Sequence, residues 1–236
     1  MRESVLHALI HIFAIISTVN PAGVTTRGKK ILRSYLRRYL NQELEEEYFK
    51  LYENNLHFYE RELKAVEEGE LSDEDSLITF QITNICRQIK KGLFIEERMI
   101  VFLQLLEFVF EDGTISEQES SIIDIVARTF NISQQEKTNA HAFMLGMKFD
   151  RISPESFLAI EGEGNVGEAS SRYSNYHEWH HMVSRGLRGT LYVLYIKSTG
   201  HILFMYEGKM QLHFKGLNVV PMRPYLLEPG VNIRGQ

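Results

Sequence analysis

The chain has 236 residues, of which 44% are hydrophobic and 24% are charged, and its formal net charge is -5 at pH 7. This composition is typical of an ordinary globular protein, and the length allows one large domain or two small ones. Because Cys86 is the single cysteine, a disulfide framework within the chain is excluded, and the mildly acidic balance gives no general attraction to nucleic acid or anionic membranes.

Glycine and proline are distributed unevenly along the chain. Residues 1–150 contain six glycines and one proline, whereas residues 151–236 contain ten glycines and four prolines. Because these residues punctuate turns, the shift predicts two different architectures in one chain.

The first predicted element is the apolar run over residues 5–19, VLHALIHIFAIISTV. The run is shorter than the roughly 20 apolar residues of a membrane span, and His7 and His11 interrupt it. A secretory signal peptide would need a positive amino-terminal region and a small-residue cleavage site, which this run lacks. We therefore predict a helix buried inside a helical domain, with the two histidines as a packed pair rather than a metal site.

Apolar residues with helical spacing continue to about residue 150, and we predict seven helices with short connections. Two capping boxes, Ser116-x-x-Glu119 and Ser133-x-x-Glu136, mark helix starts. The acidic segment 67–75 is predicted to be a loop between two of these helices.

The helices contain an internal repeat at an offset of 90 residues. Residues 12–41 align with residues 102–131, which places Gly23 on Gly113. Each copy reads as an apolar helix, a glycine turn, a Thr or Ser cap, an amphipathic helix and a terminal asparagine. Two such helical hairpins, packed face to face, are expected to bury one common core.

The segment from Gly23 to Lys29 fits the G-x-x-x-x-G-K pattern of phosphate-binding loops. Such a loop joins a strand to a helix and is followed by a Ser or Thr that holds magnesium. Here the repeat predicts a preceding helix, and Lys30 follows the motif. We therefore predict no ATP-binding loop in this chain.

Positive charges gather on one predicted helix face, formed by Lys30, Arg33 and Arg37 with Arg38 at its edge, whereas acidic residues dominate between positions 43 and 75. Two interpretations remain open. The basic face docks on phospholipid or an acidic partner, or two helix faces of opposite sign lie side by side and attract each other. Because aromatic residues do not alternate with the basic ones, nucleic acid is not a predicted partner.

The second copy of the repeat, EDGTISEQE at 111–119, resembles the acidic turn of tellurite-resistance protein B-like (TerB-like) domains, which are all-helical. Acidic residues at such turns are associated with metal binding in some members, so the resemblance implies Asp112 and Glu119 as candidate ligands of a divalent metal. The first copy carries Ala22 and Lys29 at the equivalent positions. From the residues alone, the Asp-Gly pair also fits an ordinary turn and Glu119 a helix cap.

After residue 150 the sequence predicts a linker over residues 151–175, with a short strand at 156–161, and a small β module over residues 176–236. Glycine-containing turns separate the strands of the module. The strands predicted there are 190–196, 202–207, 211–214 and 225–227.

His177, Glu178 and His181 fit the H-E-x-x-H motif of zinc proteases. That chemistry needs both histidines on one helix face and a third ligand from a later element. The residues that follow predict strands and turns instead, so we expect a polar approach to the first strand. A zinc hydrolase is the minor alternative function.

The segments LYIKSTGHILF and PGVNIRG resemble a β module, similar to forkhead-associated domains, that lies between a TerB-like domain and the ATPase in certain bacterial ABC-type transporter proteins. The resemblance implies a cytoplasmic location, with downstream ATPase and membrane domains as partners. Phosphothreonine binding is not carried over, because Arg234 alone does not reproduce the residue set of forkhead-associated domains. Since the chain stops directly after strand-like residues, we expect it to be part of a longer protein.

The predicted fold class is α+β in two domains, an all-α TerB-like bundle over residues 1–150 followed by a small antiparallel β module. The predicted function is non-catalytic: regulation or docking in an ABC-type transporter ATP-binding protein. Metal sensing through the Asp112 turn is the alternative from a different functional class.

Overall fold

The chain divides into two compact units, Met1–Ser133 and Gln134–Gln236, which we call the helical unit and the β unit. The predicted α+β fold class in two parts is confirmed. The computed structural model describes residues 3–19, 26–37, 40–67, 74–110, 115–146, 149–166, 173 and 176–235.

The helical unit contains six α-helices among its described residues. They are α1 (Glu3–Val19), α2 (Thr26–Arg37), α3 (Gln42–Glu67), α4 (Glu74–Gly92), α5 (Ile95–Val109) and α6 (Glu117–Phe130). A seventh, α7 (Gln134–Leu145), brings the number to the seven that the sequence predicts before residue 150. Of the predicted acidic loop, residues 68–73 lie outside the described residues.

Helix α1 forms the centre of the helical unit, in contact with α3, α4, α5 and α6. Between Leu9 and Val19 only His11 and Thr18 are partly exposed, because neighbouring helices cover α1 on several sides. The prediction of a buried helix is thus confirmed. In the described part of the chain, no helix has both the length and the apolarity of a membrane span.

The internal repeat is visible in the helix bounds and in the burial pattern. α1 ends at Val19 and α5 ends at Val109, while α2 begins at Thr26 and Ser116 caps α6, each pair separated by the same offset of 90 residues. α1 contacts both α5 and α6, and α2 contacts α5, so the copies share one core. Residues buried at equivalent positions of α1 and α5 are Leu9 and Met99, Ile12 and Phe102, Phe13 and Leu103, Ile15 and Leu105, and Ile16 and Leu106.

Helix α4 packs against α1 and α6 and carries the single cysteine of the sequence on its inner face. Cys86 has no exposed surface, and Ile82 and Ile89, about one helical turn to either side, are buried with it. Burial raises the pKa of the Cys86 thiol to about 12. The thiol is therefore protonated and packed as a small apolar side chain.

The described residues of the β unit form two sheets. A five-stranded sheet has the order β2-β1-β3-β4-β7, and a three-stranded sheet has the order β6-β5-β8. The strands are β1 (Phe157–Gly162), β2 (His180–Ser184), β3 (Thr190–Ile196), β4 (His201–Glu207), β5 (Leu212–Phe214), β6 (Leu217–Asn218), β7 (Pro224–Leu227) and β8 (Ile233–Gly235).

The predicted strands are all present, and the structure adds β2, β6 and β8. Neighbouring strands are antiparallel except β1 and β2, which pair in parallel from Leu158 with His180 to Gly162 with Ser184. Parallel neighbours need a long crossover connection, and residues 163–179 provide it. The module is thus antiparallel, as predicted, with one parallel edge strand.

Helix α7 belongs to the β unit, so the units divide before residue 134 rather than near residue 150. The ring of Phe143 lies 5.8 Å from that of Phe149 and 6.3 Å from that of Phe157, measured between centroids. The Asn139 side-chain oxygen accepts hydrogen bonds from the backbone N–H and the hydroxyl of Ser153, both at 3.1 Å. These apolar and polar contacts explain the position of the division.

Candidate functional site

The acidic turn that the sequence singles out is described only in part. Asp112 lies outside the described residues. Glu119 is buried, and its Oε2 accepts hydrogen bonds from the Ser116 backbone N–H at 2.9 Å and from the Ser116 hydroxyl at 3.0 Å. Its own backbone N–H donates to Ser116 Oγ at 3.1 Å. This capping box gives Glu119 a structural role at the start of α6.

The described residues do not supply a set of ligands for the predicted metal site. Across the described residues, no group of three His, Cys, Asp or Glu side chains is arranged to hold a metal ion. Binding of a divalent metal through Asp112 therefore stays a prediction.

The H-E-x-x-H segment does not form an α-helix. His177 and Glu178 lie in the short 3-10 helix Tyr176–Glu178, while His181 belongs to strand β2. Between them, Trp179 is buried, with its ring 4.6 Å from that of Phe157. A zinc protease requires both histidines on one helix face. His177 and His181 do not have this arrangement.

The basic face of α2 lies against acidic residues of α3. The buried Glu45 carboxylate accepts hydrogen bonds from Arg37 Nε at 2.8 Å and from Arg33 Nη1 at 3.3 Å. Arg33 also pairs with Glu46 at 2.8 Å, and its guanidinium lies 3.8 Å from the centre of the Phe49 ring. The hydrogen bonds and charges of Arg37 and Arg33 lower the pKa of Glu45 below its ordinary value.

The basic face of α2 was interpreted either as a docking surface or as one of two oppositely charged helix faces that lie side by side. The ion pairs between α2 and α3 show the second arrangement. Lys29 adds a further pair, with Glu53 at 3.0 Å. Lys30 is exposed, and Arg38 lies outside the described residues. Contact of this face with a membrane surface stays a prediction, although its two central arginines already have carboxylate partners.

The β unit contains an open cleft of about 1140 Å³, which we call the loop cleft. One wall is the loop 185–189 between β2 and β3, and the other is the loop 208–211 between β4 and β5. Thr190 and Tyr192 of β3 lie between the walls, and the Tyr192 hydroxyl donates to Glu207 Oε2 at 2.8 Å. The cleft is thus formed by the loop that precedes β3 and the loop that follows β4, the antiparallel neighbour of β3.

Two glycines allow the walls to approach each other closely. Gly189 has a φ of 123°, and a Cβ there would lie 2.3 Å from the carbonyl oxygen of Glu207. A Cβ on Gly208 would lie 2.2 Å from the hydroxyl of Tyr206. Since atoms cannot approach so closely without displacement, the cleft requires glycine at both positions.

The buried hydroxyl of Tyr206 connects the two walls. It donates a hydrogen bond to the Arg188 carbonyl in the first loop and accepts one from the Met210 backbone N–H in the second loop, at 3.0 Å. On the first loop, the Gly189 N–H also donates to Asn165 Oδ1 at 2.7 Å. These hydrogen bonds fix the width of the loop cleft before any ligand binds.

The charged side chains on the walls of the loop cleft are basic. Arg185 is 92% exposed and pairs with Glu163 at 3.3 Å, a contact that solvent screens strongly. Arg188 and Lys209 are exposed and have no carboxylate partner among the described residues. Arg185, Arg188 and Lys209 place three positive charges in the cleft, whereas Glu207, which accepts a hydrogen bond from Tyr192, is the one carboxylate among its described lining residues, so the rim presents net positive charge to an incoming ligand.

The site residues predicted from the sequence did not include Arg185, Arg188 or Lys209. The pattern that marks them is SRGLRGT at 184–190, in which two arginines alternate with two glycines, together with the Gly208-Lys209 turn. Basic residues beside glycines in loops fit anion recognition, because glycine lets a ligand approach the backbone. The pairing of the two loops could not be read from the sequence.

Comparisons with known proteins identify no relative of this chain. The chain matches no protein-family model, no curated protein and no solved structure. The TerB-like and transporter resemblances therefore stay predictions.

Proposed function

We propose that this chain is a non-catalytic docking module whose loop cleft binds an acidic segment of a partner protein. The observation that carries the proposal is the rim of Arg185, Arg188 and Lys209 around a cleft whose walls Tyr206 joins. Positive groups on a fixed frame favour an anionic partner through charge complementarity and lose little freedom on binding.

The size of the loop cleft favours an extended segment over a small molecule. Pockets for small ligands enclose about 300–1000 Å³ and cover most of the ligand surface. The loop cleft exceeds that range at about 1140 Å³, and it is open to solvent. A peptide with carboxylate side chains can lie along it, with its charges near the basic rim.

The resemblances supply the cellular setting of the proposal. In a bacterial ABC-type transporter ATP-binding protein with a TerB-like helical unit, the acidic segment would belong to the ATPase or membrane domains, at the cytoplasmic face of the membrane. The parent gene tests this setting. An ATP-binding cassette encoded downstream of residue 236 supports it, and a reading frame that stops there overturns the transporter setting.

Peptide binding tests the docking activity itself. A fluorescein-labelled oligoglutamate peptide is titrated with the protein and followed by fluorescence anisotropy. We expect binding that weakens as salt is added, and a loss of about tenfold in affinity when Arg188→Gln and Lys209→Gln are combined.

Lys197→Gln is the matched control, because Lys197 is an exposed lysine of the β unit outside the loop cleft. This variant should keep the affinity of the unmodified chain. Equal losses in the control and in the double variant would show that net charge, and not the cleft, governs binding, and would overturn the proposal. Absence of measurable binding at low salt would overturn it as well.

A further inference from the structure

A second basic groove lies in the helical unit, between α4 and α6, and we call it the threonine groove. It has a volume of about 440 Å³. Helix α4 contributes Thr79, Thr83, Arg87 and Lys90, and α6 contributes Arg128 among others. The groove is independent of the loop cleft, since all of its residues belong to the helical unit.

The three cations of the threonine groove have no carboxylate partner among the described residues. Lys90 Nζ donates to the side-chain oxygen of Asn131 at 3.0 Å, and Arg128 Nε donates to the Asp124 carbonyl at 3.3 Å. The Arg87 side chain is exposed, with neither an ion pair nor a hydrogen bond in the described structure. These neutral partners contrast with the carboxylates that pair with the α2 arginines.

Helix ends explain only part of this charge. Lys90 lies in the last turn of α4 and Arg128 in the last turn of α6, where a cation interacts favourably with the helix dipole. Arg87 precedes the last turn of α4 and has no such function. Its presence beside the other two concentrates three positive charges in one groove.

Two threonine hydroxyls line the same groove with their donors unused. Thr79, Thr83 and Arg87 follow one another at intervals of four residues and so share a face of α4. In helices, threonine commonly donates to the carbonyl of the preceding turn, as Thr129 does to Ile125 at 2.8 Å. Neither Thr79 nor Thr83 has a hydrogen-bond partner among the described residues, so both hydroxyls are available to a ligand.

We propose that the threonine groove binds a phosphate group. Guanidinium groups donate pairs of hydrogen bonds that match phosphate oxygens, and an ammonium group adds a compact charge. Arg87 and Arg128 supply the guanidinium groups, and the Thr83 hydroxyl, one turn from Arg87, donates to a remaining oxygen, while Thr79 and Lys90, about 16 Å apart along α4, line the two ends of the groove. The phosphate belongs either to a soluble phosphorylated compound or to a lipid headgroup, which share this chemistry.

Titration with inorganic phosphate tests the site. In amide spectra of the ¹⁵N-labelled chain, phosphate should shift the resonances of Thr79, Thr83 and Arg87, while chloride at equal ionic strength should not. The double variant Arg87→Gln with Arg128→Gln should weaken phosphate binding by at least about tenfold. Both side chains are exposed, so the variant is expected to keep its fold, which the remaining resonances report.

Lys91→Gln is the matched control, because Lys91 adjoins Lys90 in sequence but does not line the groove. It should bind phosphate as the unmodified chain does. Equal weakening in the control, or shifts that chloride reproduces, would overturn the proposal.

A second arm identifies the source of the phosphate. Co-sedimentation with phosphatidylcholine vesicles containing phosphatidic acid, lost in the double variant, supports a lipid headgroup. Shifts with inorganic phosphate and no co-sedimentation support a soluble compound. Absence of both results overturns the proposal and leaves the docking function of the loop cleft unaffected.

Discussion

The two copies of the helical repeat bury their first helices alike but attach their second helices differently. Helix α6 begins with a complete capping box and buries six apolar residues, which are Ile122, Ile123, Ile125, Val126, Ala127 and Phe130. Among the α2 residues whose side chains are described, Leu32 and Leu36 are buried, and Arg33 and Arg37 form ion pairs with Glu45 of α3.

The comparison separates two ways of attaching a helix. A fully buried Leu, Ile or Phe side chain stabilises the fold by about 1.5–3 kcal/mol, whatever the pH. Ion pairs at a surface contribute less and depend on the protonation of the carboxylate. We therefore expect the first helices to tolerate substitution equally poorly, while the second helices respond to different changes.

The largest effects are expected from the shared core. Ile16→Ala in α1 and Leu106→Ala in α5 change equivalent buried positions, and each should lower the free energy of unfolding by about 2–5 kcal/mol, measured by denaturant titration. Phe80→Ala, at a side chain that is 65% exposed, is the control and should have little effect. A cost at one position that is several times smaller than at the other would contradict a shared core.

A smaller effect is expected from the ion pairs of the first copy. Glu45→Gln leaves two guanidinium groups without their buried carboxylate, so it should lower the melting temperature at neutral pH more than Glu46→Gln, whose carboxylate pairs with Arg33 alone among the described residues. Melting curves by circular dichroism measure both variants. Equal melting temperatures would argue against a structural role of the buried carboxylate.

The pH dependence of the same pair has a defined sign. Because the pKa of Glu45 in the folded chain is lowered from 4.5, its contribution to stability is present above that pH and is lost as the pH falls below it. The difference between the unmodified chain and Glu45→Gln should therefore close under acidic conditions. A difference that persists there would contradict this assignment.

The capping box of the second copy should contribute about 1 kcal/mol. Ser116→Ala removes the acceptor of the Glu119 N–H and the donor to the Glu119 carboxylate, so the free energy of unfolding should fall by that amount. Ser116→Thr keeps the hydroxyl and copies Thr26 of the first copy, so it should be close to neutral. Equal losses in both variants would show that the hydroxyl is not the stabilising group.

The smallest effect is expected at His11, where the second copy has Val101. Burial and the nearby charge of His7 lower the pKa of His11 from 6.5, so stability is complete above that pH and declines as the pH falls towards the lowered value. His11→Val should remove this decline, which melting temperatures measured across that range would detect. Parallel pH profiles would contradict the assignment.

The sequence predicted the helices of the repeat well because both copies carry the same markers. The glycine turn, the cap and the terminal asparagine recur at one offset, and Asn131 closes α6 with a left-handed φ of 60°. By contrast, the pattern of Ala140 and Phe143 shows that α7 has a buried face without showing what covers it. The strands of the β unit, β3 among them, pack against that face, and only the tertiary structure shows this contact.

The β unit was predicted only in part, for reasons of local sequence. Strand β2 has the sequence HHMVS, whose polar start and exposed side chains show none of the alternation that marks a half-buried strand. Strand β6 has two residues, too few for a pattern, whereas β8 falls on the strand-like residues at the end of the chain, which were not assigned as a strand. The loop cleft was missed because its cations lie on two loops that only sheet pairing brings together.

The reactivity of the Cys86 thiol reports how often the core of the helical unit opens. A thiol with no exposed surface and a pKa of about 12 reacts with an alkylating reagent only when the helices around it separate. Since the sequence contains no other cysteine, the rate of modification of the unaltered chain measures how often this core opens. If phosphate or the acidic peptide stabilises the helical unit, the alkylation rate of Cys86 should fall when that ligand is present.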